Sequence, residues 1–164
     1  MRWSRRRVLF GLGGAVVAAG GGAWALTHHG PPATGHSVLT PTEVATVRAI
    51  AEVWLPAGGV AVDGPPVDVA AGVDRVVAEL MDDTRRAGFR AILRTLELGT
   101  IARQGASFSA LDLDTRRTVL ETWGDPRILP RRLATDALRG ALGMAYFGDP
   151  RVLAAIGWSR GCGG

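Results

Sequence analysis

The residue types that most often carry chemistry are few in this chain, and their spacing argues against a catalytic site. All three histidines, His28, His29 and His36, fall in one short proline-broken stretch. Neighbouring histidines can hold a metal loosely, but a built site sets its ligands on rigid elements, usually with carboxylates or thiolates. None is nearby, so the stretch reads as linker. With no histidine after His36, a Ser-His-Asp arrangement within the later part of the chain is impossible. Cys162 is the only cysteine, which excludes an intramolecular disulfide, a CxxC pair and a CxxCH haem attachment. It is left as a thiol for another chain or a lipid, or as an incidental tail residue. Asp112 and Asp114 are two apart, point away from each other on a helix and suit its N-terminal dipole. Arg85-Arg86 and Arg131-Arg132 can grip carboxylates of a partner or simply face water. No catalytic, cofactor-binding or metal-binding residue is expected in this chain.

Charge placement narrows the function classes further. The chain has 164 residues, a length suited to one domain, and a formal charge of +4. Arg2, Arg5, Arg6 and Arg7 precede every acidic residue, and the fifteen later arginines match the fifteen Asp and Glu. The high isoelectric point is therefore a property of the first residues. It does not describe a basic face for nucleic acid, and no nucleic-acid partner is expected.

The basic start runs into an apolar stretch from Val8 to Leu26. As a helix it would extend about 28 Å, close to a hydrocarbon core. Gly11, Gly13, Gly14, Gly20, Gly21 and Gly22 interrupt it, each weakening a helix by about 1 kcal/mol relative to alanine. Gly11-Leu12-Gly13-Gly14 follows a basic patch rather than a strand and lacks dinucleotide-binding spacing. Ala23-Trp24-Ala25 has the A-x-A form of a signal-peptidase site, with Ala23 and Ala25 flanking the cut. Ser4-Arg5-Arg6-Arg7-Val8-Leu9 resembles the twin-arginine export signature, with Ser4, Arg5, Arg6, Val8 and Leu9 at its defining positions. That route moves folded proteins, often with cofactor already inserted. The alternative is a permanent membrane anchor with positive charge on the inner side.

The remainder reads as helices. Residues 1–26 are taken as signal or anchor, 27–39 as flexible linker, 40–158 as a helical domain and 159–164 as a glycine-rich tail. Thr40-Pro41-Thr42-Glu43 is a capping box with proline in the first turn; Val44, Val47, Ile50, Ala51 and Trp54 follow at helical spacing. A second helix is expected from an Asp68 cap, with Val69, Val73, Val76, Val77 and Leu80 as its apolar stripe. A third runs from about Arg85 to Gln104, with Phe89, Ile92, Leu93, Leu96 and Thr100 on one face and Arg86, Arg90, Glu97 and Arg103 off it. Gly105 stops it. A fourth spans Leu113 to Trp123, and a fifth Pro130 to Phe147 with Leu133, Leu138 and Leu142 among its apolar positions. A last turn covers Arg151 to Ile156. No segment alternates as a strand does, which predicts an all-α fold, a small bundle of about five helices.

Three stretches then carry a family pattern: LTPTEVATVRAIAEVWLP, FSALDLDTRRTVLETW and ALGMAYFGDPRVLAAIGW. Their order and spacing over residues 38–158, behind a twin-arginine leader, resemble the small subunit of gluconate 2-dehydrogenase-type membrane dehydrogenases, subunit 3. The ending departs from the family pattern, since Ser159-Arg160-Gly161-Cys162 follows Trp158 where an aromatic-glycine-proline ending is frequent.

The resemblance implies a division of labour. A large flavoprotein of the glucose-methanol-choline (GMC) type carries FAD and oxidises a sugar, sugar acid or alcohol, and a cytochrome c subunit passes electrons on. The small subunit has no cofactor and is not an enzyme. It bears the export signal and escorts its folded partner through the twin-arginine translocase to the periplasm or cell envelope, where its N-terminal segment associates with the membrane. Trp54, Trp123, Tyr146, Phe147 and Trp158 are the expected partner contacts, with core packing as the competing explanation for each. The other function class that fits is a solitary envelope-anchored helical scaffold.

Overall fold

The computed structural model describes residues 30–55, 62 and 64–158. The export-signal residues Ser4, Arg5, Arg6, Val8 and Leu9, the cleavage residues Ala23 and Ala25, and Cys162 lie outside them. The described helices are α1 (Pro41–Trp54), α2 (Val69–Leu80), α3 (Asp83–Gly99), the short α4 (Ile101–Gln104), α5 (Leu113–Trp123), α6 (Leu129–Phe147) and the short α7 (Pro150–Ala155). A single 3-10 turn, Phe108–Ala110, joins α4 to α5. No strand occurs among the described residues, and the fold is all-α with five long helices.

Four of the five long helices start where the sequence supplies a side-chain cap; α6 follows Ile128, makes no side-chain cap bond and has Pro130 in its first turn. The Thr40 side chain accepts from the Glu43 amide, and the Glu43 carboxylate accepts from the Thr40 amide at 2.8 Å, which closes the capping box of α1. Asp68, Asp82 and Asp112 cap α2, α3 and α5 by accepting from Ala71, Arg85 and Thr115 amides. Asp82 thus separates α2 from α3, so α3 begins at Asp83, two residues before the expected start. At its far end the expected single helix is broken. Thr100 closes α3, and its hydroxyl donates to the Ala106 carbonyl at 2.8 Å, while Gly105 takes φ +74° to end α4.

The core lies around α1, which packs on α2, α3, α5 and the 3-10 turn. Val47, Ile50, Val73, Val77, Leu93, Leu96, Phe108 and Leu138 are fully enclosed, each aliphatic or aromatic side chain contributing about 1.5–3 kcal/mol by burial. The most extensive helix contact joins α2 to α6. Small residues make it possible: Gly72 faces Ala145 so closely that a Cβ on Gly72 would stand 2.8 Å from the Ala145 Cβ.

Three carboxylates are buried in this apolar setting, and each is fully engaged. Asp74 accepts from the successive amides of Ser37, Val38 and Leu39 at 2.7, 2.9 and 2.8 Å. This draws the end of the stretch 27–39 onto the helices and seats Leu39 in the core. Glu43 faces the Arg90 Nε at 3.1 Å and the Arg94 Nε at 3.5 Å. Glu97 accepts from the Thr46 hydroxyl and from the amide and hydroxyl of Ser109, so it fixes the 3-10 turn against α1 and α3. Arg86 has a comparable role at the surface: its guanidinium donates to the Ala78 and Met81 carbonyls at 3.1 Å, closing the end of α2.

Candidate functional site

The buried carboxylates do not form an acid-base site. Their oxygens are occupied by backbone amides, hydroxyls and arginines, and none of them lines the cavities of about 390, 330 and 300 Å³ on the surface. Burial opposes ionisation of Asp74, but the amides of Ser37, Leu39 and Val38 outweigh it, with His36 adding, and hold the carboxyl below its ordinary value. Asp125 is pushed down to about 2 by the Arg127 side chain and amide, in an exposed turn between α5 and α6. Asp149 is likewise lowered by Arg151, whose guanidinium also donates to the Pro65 carbonyl at 2.8 Å and ties α7 to the loop before α2. These are structural pairs. Among the described residues no group of three His, Cys, Asp or Glu side chains could hold a metal, and no helix is long and apolar enough to cross a membrane.

What the fold does present is apolar surface. One face of α6 buries Ala134, Leu138, Ala141, Leu142 and Ala145. On the opposite face Leu129, Leu133, Ala137, Gly140, Met144 and Phe147 recur at intervals of three and four, and all are exposed. Leu129 and Leu133 are each 59 % exposed, and Met144 and Phe147 each 50 %. This stripe runs the whole helix, about 28 Å at 1.5 Å per residue. Arg132 and Asp136 pair along its edge at 3.8 Å. Leu133, one of the apolar positions of the expected fifth helix, faces outward: α6 is apolar on two faces, and α2 and its neighbours cover only one. Leu80 is also turned out, because it is the last residue of α2.

The five aromatics proposed as contacts do not form one cluster. Trp54, at the end of α1, is half-buried, with the Arg139 guanidinium 5.1 Å over its ring. Trp123, at the end of α5, is half-buried and lines the cavity of about 390 Å³ with Arg103 and Arg131. Both rings pack against the core. Tyr146 and Phe147 meet edge-on, with ring centres 5.3 Å apart, Tyr146 half-buried and Phe147 exposed. Trp158 follows α7, is exposed and borders a second cavity with Gly148, Pro150 and Leu153. The α6 stripe was hidden in the sequence because Leu129, Leu133, Met144 and Phe147 have the same spacing as a buried face.

The sequence model of the family described as gluconate 2-dehydrogenase subunit 3 matches residues 41–164. No curated protein and no solved structure matches the chain.

Proposed function

This chain belongs to the gluconate 2-dehydrogenase subunit 3 family, and we propose that it is the non-catalytic small subunit of an exported flavin-dependent dehydrogenase. The family is that of an accessory subunit in a dehydrogenase complex, so association with other subunits is part of what this chain does. The finer reading gives it a large GMC-type flavoprotein as partner, with FAD in that partner and a sugar, sugar acid or alcohol as substrate. A cytochrome c subunit takes the electrons. Ser4-Arg5-Arg6-Arg7-Val8-Leu9 sends the assembled pair through the twin-arginine translocase to the periplasmic side of the membrane.

The observation that carries this reading is the exposed apolar stripe of α6. Leu129, Leu133, Met144 and Phe147 stay half or more exposed along one unbroken helix face. Contiguous apolar surface of this kind marks an interaction site. A partner laid along α6 would bury it and fix the two subunits as one export unit. The flavoprotein must receive FAD before it leaves the cytoplasm, and one signal on the small subunit then serves both chains.

The test is gentle isolation of the tagged protein from its native envelope, followed by a flavin absorbance spectrum and mass spectrometry. A yellow complex with a large oxidoreductase is expected. A stable, folded and colourless single chain would overturn the subunit reading in favour of a solitary scaffold. Arg5→Lys together with Arg6→Lys is expected to leave the flavoprotein in the cytoplasm; unchanged export of the partner would remove the escort role.

A further inference from the structure

We propose that the cavity bounded by the end of α3, α4, α5 and the first turn of α6 is a carboxylate pocket that receives an acidic side chain of the flavoprotein subunit. The inference rests on the preceding proposal that such a subunit is the partner, and adds where and by what chemistry it is held.

The cavity is about 390 Å³, and its charged lining residues are Arg103 of α4 and Arg131 of α6. No Asp or Glu lines it. Nearby arginines have carboxylates of their own: Arg117 pairs with Asp114, Arg127 with Asp125 and Arg132 with Asp136. Among the described residues Arg103 and Arg131 make no side-chain hydrogen bond or ion pair. Arg131 feels the charge of Asp125, but both oxygens of that carboxylate are taken by Arg127, at 3.0 and 2.7 Å. Two guanidinium groups line one cavity with no carboxylate of this chain in its wall, and together they can bind a carboxylate in forked geometry. Gln104 adds an amide on the same wall, and half-buried Val119 and Trp123 supply apolar surface for a side-chain stem.

The surroundings favour an acid carried on a protein over a free small acid. Leu98 and Ile101 flank Gly99 and Thr100 of the α3–α4 wall in sequence, Ile128 and Leu129 lie just before Arg131, and all four are exposed. Leu129 is also the first residue of the α6 stripe. A small acid would leave these aliphatics wet, whereas a protein surface covers them. Their removal from water lowers the local dielectric around the arginine–carboxylate contact and strengthens it. Arg and Trp beside an apolar rim is the composition of an interface anchor point.

The test compares the tagged full-length protein with an R103E/R131E variant and an R103K/R131K variant, each isolated from the native envelope. The readout is flavin absorbance per chain as salt is raised. The wild type is expected to retain the flavoprotein at low salt, and the lysine variant, which keeps the charge but not the fork, to release it at lower salt than the wild type. The glutamate variant is expected to lose it at least about tenfold, with an unchanged circular dichroism spectrum and melting temperature. Wild-type and glutamate variants that carry equal flavin would overturn the pocket and leave the subunit reading intact. A wild type that carries no flavoprotein would overturn both. Stabilisation of the isolated wild type by millimolar gluconate, absent in R103E/R131E, would assign the pocket to a free sugar acid instead and overturn the docking role.

Discussion

The carboxylate of Asp74 on α2 accepts from the main-chain amide of Leu39 at 2.8 Å, thirty-five residues earlier, and from the two amides before it. Three consecutive N–H groups converge on one side chain that is itself buried. Asp74→Ala would leave them without an acceptor, and about 3 kcal/mol of stability should be lost. Asp74→Asn separates charge from shape. The native carboxyl is held below its ordinary value of 3.8. A lowered native pKa contributes stability that is whole above the unfolded value and is lost as pH falls through the native value. The gap between wild type and Asp74→Asn in urea unfolding should therefore be constant above about pH 5 and shrink below about pH 4. A gap that widened on acidification would contradict this sign.

Glu43 gives a second, independent prediction. Its carboxylate is enclosed and faces Arg90 and Arg94. Glu43→Gln keeps an acceptor for the Thr40 amide but removes the negative charge that the Arg90 and Arg94 guanidinium groups face. A loss of about 3 kcal/mol is expected. Adding Arg90→Met should recover part of that loss, since the excess buried charge falls. Strict additivity of the two changes in denaturant titrations would show that Glu43 and Arg90 do not act on each other.

The sequence was explicit wherever the signal was local. Thr40, Asp68 and Asp112 announce helix starts by their position ahead of apolar periodicity, and Gly105 announces a stop. The family pattern also rests on local stretches, and the match over residues 41–164 bears it out. What stayed hidden depends on contacts across the fold. Arg90 and Glu97 lie off the apolar stripe of α3 and look solvated in the sequence, yet both side chains are largely enclosed. Their partners, Glu43, Thr46 and Ser109, come from other elements. Asp74 hides in the same way, because its three donors are backbone amides that no residue type reveals. The α6 stripe is not separable from the core face in the sequence for a different reason. Periodicity shows that a face is apolar, but only the finished packing shows whether anything in this chain covers it.

The close approach of α2 to α6 makes a paired prediction with opposite signs. A Cβ at Gly72 would stand 2.8 Å from the Ala145 Cβ and 3.2 Å from its Cα, both on a packed helix. Gly72→Ala should cost about 1–2 kcal/mol net, since overpacking outweighs the gain in helix propensity. Gly88 sits inside α3 with nothing within 4 Å of the Cβ position. Gly88→Ala should stabilise by about 0.5–1 kcal/mol. Thermal melts of the two variants check both signs, and stabilisation by both would mean that α2 and α6 are not in contact at Gly72.

The exposed face of α6 yields the prediction closest to function. Leu133 and Met144 are half or more exposed and neither belongs to the core, so glutamate at either position removes little internal packing. The stability of the isolated chain should change by no more than about 0.5 kcal/mol. In the assembled complex the same substitutions would bury a carboxylate against whatever covers the stripe, and the arginines beside it are already engaged, Arg132 with Asp136 and Arg139 with the Trp54 ring. Leu133→Glu and Met144→Glu should each reduce flavoprotein recovery at least about tenfold. Leu80→Glu is the control, because Leu80 is 63 % exposed at the end of a different helix, α2. If all three variants lost the partner equally, the loss would reflect surface charge in general. If only the α6 variants lost it, the stripe is the interface.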